Sequence, residues 1–177
     1  MPYENLWPGS CKELSGISYP RVVSKPRRQS ALLWSTSELR NKTGQRTTVR
    51  EVITGHAVTV LFFGSPCYRR SQAMAEHLKD LQAKCQELAR SLAVIYVPLY
   101  TYRENSVEVE DDFLENHGDR DWWMMGYQSW ESLEAKYMHQ VCVVPTLVVV
   151  DREGGIVTES GQADLYNIKH DVLITWF

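Results

Sequence analysis

The feature that most constrains this chain is a pair of apolar runs separated by a helical stripe. From Ala57 to Gly64 the sequence reads AVTVLFFG, bounded by Gly55 and Gly64, and from Leu92 to Tyr100 it reads LAVIYVPLY. Short unbroken apolar runs of this kind read as strands covered on both faces. Between them Met74, Leu78, Leu81, Cys85 and Leu88 recur at spacings of four, three, four and three. That rhythm marks one face of a long amphipathic helix. Cys85 lies within the stripe and is therefore expected as a core residue. Strand, helix and strand in this order imply a right-handed parallel crossover.

The rest of the chain extends the pattern. Gly44 marks a turn within Arg40–Arg50, followed by a short strand or helix start at Thr47–Ile53. An acidic helix is expected at Glu108–Glu115 and another at Ser129–Met138, where Leu133 and Tyr137 are four apart. Thr146–Asp151 and Ile156–Ser160 read as a hairpin around the turn Arg152–Gly155, and Gly161–Phe177 holds a closing helix. The resulting class is α/β, a mixed sheet flanked by helices. Residues 1–45 read as a basic arm containing Pro2, Pro8, Pro20 and Pro26, and residues 46–177 as the globular domain.

Charge separates the two parts. The formal net charge of the 177 residues is −3, but residues 1–50 hold nine Lys/Arg against three Glu, a balance of +6, and the remainder is −9. A basic arm beside an acidic body either lies on that body or meets an acidic partner. The run Lys25–Arg28 is too short to argue for nucleic acid. No stretch of eighteen apolar residues suggests a membrane span. The opening MPYENLWPGS has neither the charged nor the apolar segment of a secretory signal, and Glu4 with the early prolines makes a poor transit peptide. An intracellular, cytoplasmic protein is the expectation, with a cytoskeletal or organellar assembly as a further setting.

The four cysteines are Cys11, Cys67, Cys85 and Cys142, none in Cys-x-x-Cys spacing. That pattern provides neither a zinc ribbon nor a dithiol pair and suits a reducing compartment. His56, His77, His117, His139 and His170 show no metal-ligand spacing, so neither metal nor cofactor is expected.

The order of elements, ending in VVPTLVVVD, resembles the thioredoxin superfamily, and more specifically its tryparedoxin and nucleoredoxin-like branch. That branch carries an apolar strand, a Phe-Ser-Ala-Ser-Trp-Cys-Pro-Pro-Cys-Arg-x-Phe segment opening a helix, a Trp-containing stretch and a cis-proline strand. The corresponding pieces here are VLFFGSPCYRRSQAM, Arg103-Glu104-Asn105, Trp122-Trp123-Met124, VVPTLVVVD and GGIVTESGQADL, spanning roughly residues 41–177. The resemblance implies a cis bond before Pro145, within a loop of Val144, Pro145 and Thr146. It also aligns Met74 and Leu78 with family core positions. Cys67 then falls on the family's Trp, and Tyr68, Arg69, Arg70 and Ser71 on the Cys-x-x-Cys.

Dithiol exchange needs a thiolate at the helix N-terminus and a second thiol to resolve the mixed disulfide. Tyr68 and Ser71 supply neither, and Ser71 is expected to cap or hydrogen-bond the helix start. Arg69 and Arg70 read as a solvated basic corner or an anion contact. Cys67, beside both arginines, is the remaining route to monothiol chemistry. Cys142 lies three residues before Pro145; Cys67 and Cys142 are expected as unpaired thiols, with a mutual disulfide as the alternative. Trp122, Trp123, Met124, Met125, Tyr127 and Trp130 crowd nine residues, more than one short element usually buries. A protein-binding surface is therefore expected at Trp122, Trp123, Tyr127 and Trp130, with Trp7, Arg27 and Arg28 of the arm. Protein partners within a multi-subunit assembly follow, with a structural or docking role.

Overall fold

The computed structural model describes residues 36–99, 107–126 and 139–177. The expected interface residues Trp7, Arg27, Arg28, Tyr127 and Trp130, and the expected helix Ser129–Met138, lie outside the described residues. Seven strands form one mixed sheet in the order β2-β1-β5-β4-β3-β6-β7.

The first strand, β1 (Glu38–Asn41), hairpins onto β2 (Arg46–Thr48). Asn41 builds the connection: its Oδ1 accepts from the Thr43 and Gln45 amides at 3.1 and 2.9 Å, and Gly44 takes a positive φ of 80°. Because β1 also pairs antiparallel with β5, the sheet begins inside the stretch assigned to the arm. The boundary at residue 45 is thus too late. Length and charge obscured it: four residues carry little periodicity, and Arg40 and Lys42 read as arm. Both cations lie on the chain's own acidic helix, Arg40 2.6 Å from Asp111 and Lys42 3.3 Å from Glu115.

Helix α1 (Val49–Gly55) follows β2 directly, so Thr47–Ile53 holds both a strand end and a helix start. Thr48 and Glu51 form a reciprocal capping box. Hydrogen bonds from the Thr47 hydroxyl and then Thr48 hold the Glu51 carboxyl below its usual range.

Strands β3 (Val58–Gly64) and β4 (Leu92–Pro98) are buried throughout and pair in parallel from Val58↔Leu92 to Gly64↔Pro98. Helix α2 (Arg69–Glu87) provides the crossover. Alternation along β3 divides the interior. Val58, Val60 and Phe62 join Met74, Leu78, Leu81 and Cys85 of α2 on one face; Leu61 and Phe63 join Val49, Val52 and Ile53 of α1 on the other. A fully buried aliphatic or Phe side chain stabilises by about 1.5–3 kcal/mol, so these positions hold the sheet between two helical layers. Leu88 departs from the expected stripe and is half exposed: α2 ends at Glu87, and Ala89 turns to a φ of 54°.

Helix α3 (Val107–Asn116) precedes β5 (Trp123–Met125), a short strand parallel to β4 that the aromatic composition did not signal. Strand β6 (Thr146–Asp151) runs antiparallel to β3 and turns into β7 (Ile156–Thr158). Asp151 Oδ1 holds that turn by accepting from the Glu153 and Gly155 amides at 3.0 and 2.7 Å. The chain closes with α4 (Gly161–Ile168), a 3-10 turn at Lys169–Asp171 and α5 (Val172–Thr175). Among the described residues no helix is long and apolar enough to cross a membrane.

Candidate functional site at the helix α2 N-terminus and the cis-proline loop

The register Phe63↔Thr146 brings the exit of β3 and the entrance of β6 to one end of the sheet. The exit continues through Ser65–Tyr68 into α2; the entrance is the loop Val144-Pro145-Thr146, whose Val144–Pro145 bond is cis as expected. Two turns shape these segments. The Tyr68 amide donates to Ser65 O at 3.1 Å, and the Thr146 hydroxyl donates to Val143 O at 2.7 Å.

Tyr68 is the N-cap of α2 and lends it no side-chain hydrogen bond. Its ring is 41% exposed, and Arg69 and Arg70 are exposed beside it. Ser71 is wholly buried. Its hydroxyl accepts from the Ser65 amide at 3.1 Å, tying the loop to the helix rather than capping the helix's own amides. Gln72 adds a second tie, donating from Nε2 to Pro66 O at 2.9 Å. Ser71 stands three residues before Met74 and seven before Leu78, so its burial was legible from the helical stripe.

Cys142 departs from the expectation of an unpaired thiol. Cys67 is an exposed thiol one residue before the N-cap, and Cys142 is exposed and disulfide-bonded. Cys11 lies outside the described residues. Spacing could not reveal this bond, which depends on tertiary approach. Cys85 is core as expected, and burial pushes its thiol up to about 11.

Trp122 corrects the interface expectation. It is completely buried, its ring meets Phe62 edge-on at 6.0 Å, and its Nε1 donates to Gln82 Oε1 at 2.7 Å. Gln82, itself 4% exposed, was missed because a polar residue on an apolar helix gives no signal of its partner. Trp123 is half-buried and packs on the opposite interior cluster. His139, which has no ligand spacing in the sequence, is buried with its ring 6.0 Å from Phe63. Burial lowers its pKa, partly offset by the Glu159 carboxylate. His56 Nδ1 lies 2.7 Å from Val52 O, and His117 Nδ1 lies 3.3 Å from Glu76 Oε1. Among the described residues no group of three or more His, Cys, Asp or Glu side chains could hold a metal ion.

A mixed sheet with a cis-proline loop and the start of its long crossover helix at the same end has a thioredoxin-type architecture. A family model described as thioredoxin-like matches residues 55–156, and the chain belongs to that family. No curated protein sequence matches the chain. Among solved structures, a thioredoxin from Wuchereria bancrofti superposes with a TM-score of 0.65 at 19% identity, covering 81% of this chain and 95% of that one. Native tryparedoxin I from Crithidia fasciculata gives 0.64 at 19%, covering 84% and 97%. Tryparedoxin from Trypanosoma brucei gives 0.67 at 14%, covering 83% and 97%. At such identities the likeness establishes the fold.

Proposed function

We propose that this chain is a redox-inactive thioredoxin-like protein that binds other proteins as a structural or docking subunit of a larger assembly. The observation that carries the reading is the start of α2. Tyr68 is the N-cap and Ser71 the buried position three residues on; the sequence resemblance would align the family's two redox cysteines with them. A tyrosine hydroxyl has no sulfur with which to form the mixed disulfide that thiol–disulfide exchange requires. Ser71 already serves as acceptor for Ser65. The exposed Tyr68, Arg69 and Arg70 beside the Pro145 loop leave a surface for a protein partner; tyrosine and arginine are common interface anchors.

Two measurements test this. Gentle affinity purification of the full chain should recover partners at constant stoichiometry, and a partnerless monomer would count against a docking role. Insulin reduction by the wild type should stay at the background rate. The exposed thiol of Cys67, next to the helix N-terminus and two arginines, favours a second reading as a monothiol oxidoreductase. Activity lost on Cys67→Ser would establish it; equal rates for the two proteins would end it.

A further inference from the structure

The segment that follows α4 folds back through a strained joint. Lys169 takes a φ of 48°, a left-handed value that costs a residue with a side chain. Beyond it Val172, Leu173 and Trp176 are buried in the cluster built by α2, β3 and β4, whereas Ile174 is 78% exposed. Side chains outside the segment tie it down. Trp176 Nε1 donates to Asp164 Oδ2 at 3.3 Å, the long end of a hydrogen bond. The Arg90 guanidinium donates to Leu173 O and lies 5.1 Å from the centre of the Phe177 ring. Arg90 is also bound to the turn that holds Cys85, its amide donating to Cys85 O at 2.8 Å. Cys85 belongs to the same cluster as Val172, Leu173 and Trp176. Burial pushes its thiol up to about 11, and the Arg90 charge acts the other way.

We propose that residues 172–177 form a strap, latched by Arg90 and jointed at Lys169, that opens as a unit and uncovers the Cys85 thiol while the sheet stays folded. Partial openings of this kind draw on the parts of a structure with the fewest buried contacts, and the strap buries Val172, Leu173 and Trp176 against a joint under strain. With the strap closed, Cys85 is 1% exposed and its thiol keeps its proton. With the strap open, the sulfur meets water, its thiolate becomes accessible, and it turns into a nucleophile for small electrophiles. A group added to that sulfur finds no room in a close-packed interior, so modification holds the strap out. The latch and the thiol it conceals thus share one residue, Arg90.

The test is labelling of the full chain with N-ethylmaleimide at neutral pH, from zero urea to just below the unfolding transition. The thiolate adds across the maleimide double bond; a sulfur–carbon bond forms and the neighbouring carbon takes up a proton. Non-reducing digestion and mass mapping read Cys85 separately from the exposed Cys67. At low urea the Cys85 rate should depend on urea far less steeply than global unfolding does, because that slope scales with the surface exposed. Arg90→Met should raise the low-urea Cys85 rate about tenfold, the scale of a lost charged hydrogen bond, and leave the Cys67 rate unchanged. Loss of the positive charge alone raises the thiol pKa and slows labelling, so acceleration reports opening. Trp176→Phe removes the tie to Asp164 without touching Arg90 and should also accelerate Cys85; Ile174→Ala should not. Circular dichroism melts identify the folded variants, and Trp176→Phe decides the matter if Arg90→Met does not fold. The proposal is overturned if Cys85 labels only with the full urea slope of global unfolding, or if a folded Arg90→Met or Trp176→Phe protein labels at the wild-type rate.

Discussion

Trp122 and Gln82 form a buried pair whose removal separates a core role from an interface role. Trp122→Phe keeps an aromatic ring against Phe62 but removes the indole N–H that Gln82 Oε1 accepts at 2.7 Å. Leaving a buried acceptor without its partner costs about 1–3 kcal/mol, and the smaller ring leaves a void that adds to it. The expected loss is therefore about 2–4 kcal/mol. Gln82→Leu strands the indole N–H instead and should cost about 1–3 kcal/mol. Removing both groups strands neither, so the double variant should be more stable than the sum of the singles by about 1–2 kcal/mol. Urea titrations followed by far-ultraviolet circular dichroism avoid the confounding loss of tryptophan fluorescence. Additive losses would show that the hydrogen bond contributes nothing. A Trp122→Phe protein of unchanged stability that no longer retains a partner would return this residue to the interface.

Thr59 Oγ1 is buried without a hydrogen-bond partner, so the near-isosteric Thr59→Val should raise stability by about 1 kcal/mol in urea; a loss would refute this. Burial lowers the His139 pKa from its reference of 6.5, so the unfolded chain takes up this proton first as pH falls. The contribution of His139 is thus complete above about pH 6.5 and is lost on acidification, with a slope of at most about 1.4 kcal/mol per pH unit. His139→Gln should flatten the urea midpoint between pH 7 and 5.5, and an unchanged slope would assign the titration elsewhere. Tyr68→Cys with Ser71→Cys restores two thiols at the N-cap and the buried turn position. Insulin reduction should rise from background, whereas no gain in a folded double variant would place the redox register elsewhere.

Local pattern was enough for the regular elements. The apolar runs around Leu61 and Ile95, the stripe through Met74 and Leu78, and the turn at Gly154 each record a local periodicity or turn preference, and together they order the fold. The cis bond at Pro145 was legible only through resemblance. Short strands were not legible, because three or four residues at β1 and β5 carry no period of their own and become strands by pairing with each other. The aromatic cluster was misread at Trp122 for a related reason: composition counts large side chains but does not say which face has room for them.

The sequence by itself determined the fold class, the helix face and the absence of Cys-x-x-Cys, since these depend on residue identity and spacing along the chain. Only the tertiary structure decided that Trp122 answers Gln82, that Ser71 ties down Ser65, and that Arg40 and Lys42 rest on α3. Those pairings join residues from separate elements, and no linear period encodes which two will meet.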